Sequence, residues 1–320
     1  MNLKQAWLAS PGPDTWKEAG LLWLKGVCMG AADIIPGVSG GTIAFITNIY
    51  DQLMAAIKSF GLDAAKRLLR LDFSGALSLL HVRFLLPLLL GIVTALVGMA
   101  RLMHHLLATY PVQVWALFFG LIAASIVVVA GRVGQVTLTR VAFCLAGAVG
   151  SYLLVGLIPV TTPENYGFLF LCGAVAICAM ILPGISGAFI LLLLGKYEYV
   201  TGALKAPFSG ENPLIIIVFA LGAGVGIISF ARLLHWFMQR HYGPAVSLLT
   251  GFMIGAMRKV WPWKEVLETR LVGAREIVIS ERNILPAAFD SEVLWALALI
   301  LLGCAAVLLL ERLSKPVQPR

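Results

Sequence analysis

Six apolar runs constrain the fold of this chain more than any other feature of its sequence. Each holds roughly 20 residues, the length that an α-helix needs to cross the hydrocarbon core of a bilayer. The runs therefore predict six membrane-spanning helices in an integral membrane protein. They cover residues 84–103, 111–130, 141–159, 213–238, 244–260 and 293–310.

The composition excludes an ordinary soluble protein. Of the 320 residues, 60% are hydrophobic and 12% are charged, and the mean hydropathy is +0.92, whereas soluble domains carry about 25% charged residues. A formal net charge of +8 would suggest nucleic acid as the partner of a soluble chain, but here the basic residues flank the apolar runs. Their placement predicts contacts with anionic membrane lipids and no nucleic-acid partner.

A further apolar stretch, residues 168–194, is interrupted in its middle by Pro183, Gly184 and Gly187. Proline removes a helical hydrogen bond, and glycine loosens the helix backbone. Such backbone is tolerated at membrane depth where it is buried in protein or lines a polar cavity. We therefore predict a broken element here instead of a straight span.

The break belongs to a hexapeptide that occurs twice: residues 36–41 read PGVSGG, and residues 183–188 read PGISGA. A second alignment pairs GMARLMHH with SFARLLHW and places Arg101 on Arg232. The offset between the copies is smaller in this second alignment, so the first half carries an insertion. We predict that the insertion, within residues 58–83, forms an amphipathic interfacial helix.

The repeats predict an all-α polytopic membrane protein built as one membrane domain from two halves. The first repeat, with an N-terminal interfacial segment, covers residues 1–160, and the second covers 161–320. Each half is expected to hold a Pro/Gly-broken re-entrant hairpin followed by three transmembrane helices, with residues 258–290 forming a long loop. If each half crosses the membrane three times, an odd number, the second half has the opposite orientation in the membrane to the first. Most of the 24 Lys and Arg residues then lie on the side of both termini, which predicts cytoplasmic termini.

The duplicated break is suited to holding an anion. Interrupted helices leave backbone amides without partners, and Ser39 and Ser186 add hydroxyl donors. Inverted-repeat transporters bind their substrates between such broken helices near the midplane. Arg101 and Arg232 either supply charge-assisted contacts to a phosphate or reach out to lipid headgroups, and their sequence surroundings favour neither.

Three acidic residues are candidates for proton coupling. Asp33 precedes the first hexapeptide inside an apolar run, where an acid is either functional or a hydrogen-bonded helix cap. Asp51 and Glu198 occupy equivalent positions in the two copies. They either bind protons or substrate cations or cap helices at the interface.

Motifs for catalysis and for cofactors are not evident. The five cysteines lie in apolar stretches without metal-ligand spacing and are expected to be buried packing residues, so we predict no disulfide, metal or other cofactor. The sequence has no HExxH motif or clustered carboxylate pair. PGVSGG lacks the histidine of the PSGH motif of one phosphatase group. A transporter is therefore expected rather than an enzyme.

Residues 30–53 and 181–198 resemble the bacterial polyprenyl-phosphate transporter family PopT. The resemblance implies that the protein returns undecaprenyl phosphate, the lipid carrier of cell-envelope polysaccharide synthesis, from the outer to the inner leaflet of the cytoplasmic membrane. It also implies phosphate-binding positions in both copies, although Ala188 and Phe189 stand where the first copy has Gly41 and Thr42. These positions are Pro36, Gly37, Ser39, Gly40, Gly41, Thr42, Pro183, Gly184, Ser186 and Gly187.

One other transport function remains open. A secondary transporter of a small soluble anion, such as a carboxylate, would use the same broken hairpins. The polyprenyl-phosphate hypothesis additionally requires a lateral opening for the lipid tail. The oligomeric state is not determined by the sequence.

Overall fold

A computed structural model of the protein describes residues 2–34, 39–157, 162–272, 275–286 and 288–314. The described part is mostly helical, and its elements follow one another along the chain as listed here. They are α1 (Leu3–Ala9), α2 (Trp16–Asp33), α3 (Gly40–Ile46), α4 (Tyr50–Ser59), α5 (Leu62–Leu69), α6 (Phe73–Leu79), α7 (Val82–Thr109), α8 (Pro111–Ala130), α9 (Leu138–Leu154), α10 (Tyr166–Ile181), α11 (Gly187–Leu193), α12 (Tyr197–Lys205), α13 (Asn212–Arg240), α14 (Tyr242–Ala256), β1 (Lys264–Val272), β2 (Arg275–Asn283) and α15 (Ser291–Ser314).

Helices occupy all six predicted runs, and the chain is an integral membrane protein. Within the described residues, α7, α8, α13 and α15 are long and apolar enough to cross a bilayer. The pair α11 and α12, bent by 113°, counts as a fifth span if it is taken as one unit. The broken element predicted for residues 168–194 is confirmed as α10 and α11, separated by residues 182–186.

The predicted spans 141–159 and 244–260 extend beyond the helices observed there. At 1.5 Å per residue, α9 is about 26 Å long and α14 about 22 Å, both short of the roughly 30 Å hydrocarbon core. Turns end them after Leu154 and Ala256. The two helices pack against each other, since a Cβ added to Gly251 would lie 2.1 Å from the carbonyl oxygen of Cys144.

Helix crossings of the first half recur in the second. Helix α2 packs on α7, and α10 packs on α13. A glycine on each helix allows the close approach, because an added Cβ would lie 2.0–2.3 Å from a carbonyl oxygen of the partner helix. The glycines and the residues opposite are Gly26 and Leu88, Gly91 and Trp23, Gly173 and Phe219, and Gly222 and Phe170.

The remaining spans pair between the halves. Helix α8 packs on α15, and α14 packs on α9. Here too a glycine on each helix allows the close approach, because an added Cβ would lie 2.1–2.4 Å from a carbonyl oxygen of the partner helix. The glycines and the residues opposite are Gly120 and Ile300, Gly303 and Leu117, Gly251 and Cys144, and Gly147 and Leu248.

Two insertions differ from the predictions. The long loop contains the antiparallel hairpin β1–β2, so the all-α prediction is wrong at this place. The sequence feature that could have predicted a strand is the β-branched stretch IVIS at residues 277–280. In the first half, one interfacial helix was predicted, but α5 and α6 are separate helices. Leu71 adopts φ 59° between them, and Asp72 caps α6 by accepting a hydrogen bond from Gly75 N at 2.8 Å.

The N-terminal segment, residues 2–15, is attached to the start of α7 by Arg83, which is 8% exposed. The guanidinium pairs with Asp14 at 2.8 Å and donates to the carbonyl oxygens of Leu8, Ser10 and Pro13. One side chain thus holds both the end of α1 and the irregular backbone that follows it.

We expect Arg83→Ala to release this segment, because three carbonyl groups lose their donor at a cost of about 1–3 kcal/mol. Hydrogen exchange of residues 8–15 should become faster. Arg67→Ala is the matched control, since its pair with Asp72 is about half exposed, and such pairs contribute up to about 1 kcal/mol. Equal exchange in Arg83→Ala and the wild type would show that Arg83 does not hold the segment.

Candidate functional site

The two copies of the motif meet where α3 and the break between α10 and α11 lie side by side. Pro36 and Gly37 fall outside the described residues, so the first copy is described from Ser39 onward. Three hydrogen bonds connect the copies: Ser39 Oγ donates to Met180 O at 2.9 Å, Gly184 N donates to Thr42 Oγ1 at 3.0 Å, and Tyr50 Oη donates to Ile181 O at 3.2 Å.

In the first copy, side chains satisfy the amides at the start of α3. Asp33 Oδ1 accepts a hydrogen bond from Gly40 N at 2.7 Å, and Ser39 Oγ accepts one from Gly41 N at 3.1 Å. Asp33 is thus a helix cap in this conformation, one of the two roles considered for it. A Cβ on Gly41 would lie 2.4 Å from the carbonyl oxygen of Ile181, so glycine is required for the contact.

The second copy leaves one hydroxyl group without a hydrogen-bond partner among the described residues. Gly184 has φ +87°, a left-handed conformation that glycine adopts without strain. Pro183 and Gly187 are buried, and an added Cβ on Gly187 would lie 2.6 Å from Ala176 O. Ser186 occupies the N-cap position of α11 without a side-chain cap, and its hydroxyl makes no hydrogen bond to a described residue. Of the two motif serines, Ser39 and Ser186, it is therefore Ser186 whose hydroxyl donor is unused.

The junction is closed in this conformation. Ser39 is 0% exposed, Thr42 1% and Ser186 6%. Of the two predicted hydroxyl donors, Ser39 donates inside the protein to Met180 O, and Ser186 makes no hydrogen bond to a described residue. Thr42 Oγ1 accepts from Gly184 N. A bound anion at this place requires the two copies to move apart.

The structure does not bring the aligned arginines to the junction. Arg101 and Arg232 are exposed, and neither makes a hydrogen bond or ion pair with a described residue. Arg232 lies beside Gly61, at the turn between α4 and α5, where its Nη2 would be 3.1 Å from an added Cβ. Asp51 and Glu198 lie exposed in the first turns of α4 and α12.

Other cations, which the sequence analysis did not select, contact the motif helices. Arg132 follows α8, donates to Phe45 O on α3 at 3.4 Å and lies 5.6 Å from the centre of the Phe45 ring. Lys259 follows α14 and lies 5.2 Å from the ring of Phe189 on α11. Lys25 donates to the carbonyl oxygen of Thr47 at the end of α3, at 2.9 Å.

Arg132 and Lys259 each follow the second predicted span after a copy of the motif, α8 and α14 respectively. The sequence feature that could have identified them is their position near the ends of α8 and α14. Alignment of identical residues pointed to Arg101 and Arg232 instead, because Arg132 and Lys259 differ in residue type.

Within the described residues, no three His, Cys, Asp or Glu side chains lie together in a way that would hold a metal ion. All five cysteines are free. Cys172 is buried as expected. Cys144, Cys178 and Cys304 are half-buried and Cys28 is exposed, which corrects the expectation for these four.

Comparison with known proteins identifies the family. Residues 29–277 match the family model described as undecaprenyl phosphate translocase-like. A Vibrio cholerae protein named polyprenyl-phosphate transporter is 40% identical over 300 residues, covering 92% of this chain and 96% of that protein. A Staphylococcus aureus protein of the same name is 28% identical over 260 residues, covering 75% and 85%.

No solved structure shows significant similarity to this chain. The family model spans both broken helices, and the Vibrio relative matches along nearly the full chain. The resemblance drawn from the duplicated motif is confirmed. The chain belongs to the undecaprenyl phosphate translocase-like family.

Proposed function

We propose that this protein moves polyprenyl phosphate across the bacterial cytoplasmic membrane, returning undecaprenyl phosphate from the outer to the inner leaflet for cell-envelope polysaccharide synthesis. The observation that carries the proposal is the junction of the two motif copies, in a chain whose relatives are named polyprenyl-phosphate transporters. The substrate is a membrane lipid, and no catalytic step is required of the protein.

The chemistry of the junction fits a phosphate monoester. An ionised phosphate is prohibitively costly to move through hydrocarbon without polar partners. Broken helices supply backbone amides and hydroxyls that replace water around the headgroup. The polyprenyl tail stays in lipid throughout, which limits the task of the protein to sheltering the headgroup.

The topology we propose is an inverted repeat with both termini in the cytoplasm. The recurring crossings α2–α7 and α10–α13 support a repeat, and the distribution of Lys and Arg supports the orientation. In this arrangement α3 and Arg132 face the cytoplasmic side, while α11, Lys259 and the β-hairpin face the outside. Each motif helix then has a cation on its own side of the membrane.

Transport follows from alternating exposure of the two copies. The described conformation is the closed state, held by the Ser39–Met180 and Thr42–Gly184 hydrogen bonds. Parting these bonds on one side exposes amides and hydroxyls to a headgroup on that side. Arg101 and Arg232, exposed near the ends of their spans, are assigned to guiding the phosphate rather than holding it.

Asp33 is the leading proton-coupling candidate, with Asp51 and Glu198 as second choices. A protonated carboxyl group is a weaker acceptor than a carboxylate for Gly40 N–H. Protonation of Asp33 would therefore loosen the start of α3 and favour opening of the junction.

We expect Asp33→Asn, which keeps a hydrogen-bond acceptor but cannot titrate, to reduce the pH dependence of transport in proteoliposomes. The ratio of the rate at pH 6 to the rate at pH 8 should fall below the wild-type ratio, because protonation can no longer loosen the start of α3. Asp51→Asn serves as the comparison. If transport by Asp33→Asn keeps the wild-type pH profile, Asp33 does not couple protons.

A reconstituted assay separates the proposal from its alternatives. Purified protein in liposomes should move a labelled polyprenyl phosphate between leaflets and should leave a soluble carboxylate outside. Uptake of the carboxylate without lipid movement would support the soluble-anion transporter instead. Release of phosphate from polyprenyl pyrophosphate would indicate a phosphatase.

A further inference from the structure

An ion cluster lies at the base of the β-hairpin, beside the second motif helix. Lys259 Nζ and Lys264 Nζ approach the same atom, Oε1 of Glu281, at 2.8 and 3.2 Å. The three side chains are largely buried, with 20%, 9% and 23% of their surfaces exposed. Two ammonium groups thus share one carboxylate, which leaves the protonated cluster with an excess positive charge.

Neighbouring elements hold the two lysines in place. Lys259 lies against the ring of Phe189, two residues after Gly187 of the second motif. Lys264 Nζ lies 4.0 Å from the centre of the Trp115 ring on α8 and donates to the carbonyl oxygen of Lys259 at 2.6 Å. The cluster is therefore fixed between α8, α11 and the hairpin, next to the junction of the two motif copies.

Space for a headgroup lies on the other side of Glu281. A cavity of about 630 Å³ is bordered by Glu281 and by Arg258, with Tyr152, Trp261 and Arg282 also in its lining. Arg258 lies 4.5 Å from the ring of Tyr152 and donates to its carbonyl oxygen at 3.2 Å. The cavity thus has cationic and aromatic walls, which suit a phosphate on a lipid near the membrane interface.

We propose that Lys259 and Lys264 form a docking site for the phosphate of a lipid phosphate monoester on the hairpin side of the membrane, and that Glu281 occupies this site until the lipid arrives. This inference rests on the proposed function, in which the hairpin side is the outer side. The phosphate enters through the cavity, displaces Glu281 from the lysines and arrives next to α11. A phosphate monoester, with about −1.5 to −2 charges near neutral pH, neutralises two lysines better than one carboxylate does.

The charge state of Lys264 adds a pH signature. Burial lowers the pKa of Lys264 to about 8, with Glu281 opposing this shift and Lys259 reinforcing it. Among the described residues, those two side chains are the charged groups that face Lys264, and the α8 residue packed on it is Trp115. Docking is therefore expected to weaken as the pH rises through about 8, because Lys264 loses its proton.

The test is the affinity of the purified full-length protein in nanodiscs for farnesyl phosphate, a short polyprenyl phosphate. At pH 6, well below the pKa of about 8 that Lys264 has beside Glu281, we expect Glu281→Gln to raise the affinity several-fold, since the competing carboxylate is removed. Lys264→Gln and Lys259→Gln should each lower it about tenfold. Glu268→Gln, which removes an exposed carboxylate of β1 that lies outside both the cluster and the cavity lining, should bind as the wild type does.

The outcomes distinguish this site from the proposed function. Unchanged or lower affinity in Glu281→Gln overturns the docking site, and this nearly isosteric variant remains decisive if a lysine variant fails to fold. Inorganic phosphate binding as tightly as farnesyl phosphate overturns the assignment to a lipid. If the affinities change as expected but labelled polyprenyl phosphate does not cross proteoliposomes, the docking site stands and the transport function fails.

Discussion

Gly41→Ala should reduce polyprenyl-phosphate transport about tenfold or more while the protein still inserts into the membrane. The new Cβ would lie 2.4 Å from the carbonyl oxygen of Ile181, and a backbone atom cannot rotate away as a side chain can. Helix α3 must therefore move from the second copy. That movement strains or breaks the Ser39–Met180 hydrogen bond, and overpacking of this kind costs about 1–3 kcal/mol.

The matched control for this change is Gly98→Ala in α7. Nothing lies within 4 Å of a Cβ added to Gly98, and alanine favours a helix over glycine by about 1 kcal/mol. The control should therefore be as stable as the wild type or slightly more so, with full transport. Thermal unfolding in detergent and lipid translocation in proteoliposomes would be measured on both variants. Wild-type transport in Gly41→Ala would mean that the close contact between the copies is not needed.

Ser39→Ala and Ser186→Ala should both impair transport, but their effects on stability should differ. The hydroxyl of Ser39 is fully buried and bonds to Met180 O and Gly41 N, so its loss should destabilise the protein by about 1–3 kcal/mol. The hydroxyl of Ser186 makes no hydrogen bond to a described residue, so its loss should change stability by less than about 0.5 kcal/mol.

The comparison separates a structural role from a binding role. If Ser186 binds the phosphate, Ser186→Ala lowers transport several-fold at wild-type thermal stability, and Ser186→Thr, which keeps a hydroxyl, restores part of it. Full transport by Ser186→Ala would remove this residue from the site. A loss of stability in Ser186→Ala equal to that in Ser39→Ala would show that the two copies are structurally equivalent.

The continuous apolar runs predicted much of the fold, because lipid leaves few alternatives for an apolar run of spanning length. All six runs form helices, and Pro183 and Gly184 mark a true break. The ends of α9 and α14 were not predicted, since apolar residues continue past the turns that end these helices. The β-hairpin was missed because a charged connecting segment was expected to be irregular.

The candidate site was predicted less completely than the fold. The repeated hexapeptide identified the residues that meet at the junction, but their partners, Met180 O and Ile181 O, are backbone atoms that no sequence motif specifies. The aligned arginines attracted attention because they are identical. Contacts in the folded chain instead select Arg132 and Lys259, whose proximity to Phe45 and Phe189 depends on tertiary packing.

A structure determined with bound polyprenyl phosphate in nanodiscs tests the central claim most directly. We predict that the phosphate lies between α3 and α11, within about 3.5 Å of the Ser186 hydroxyl, with the Thr42–Gly184 hydrogen bond opened to admit it. A phosphate held at Arg101 or Arg232, with the Ser39–Met180 and Thr42–Gly184 hydrogen bonds intact, would contradict the claim that the two broken helices form the binding site.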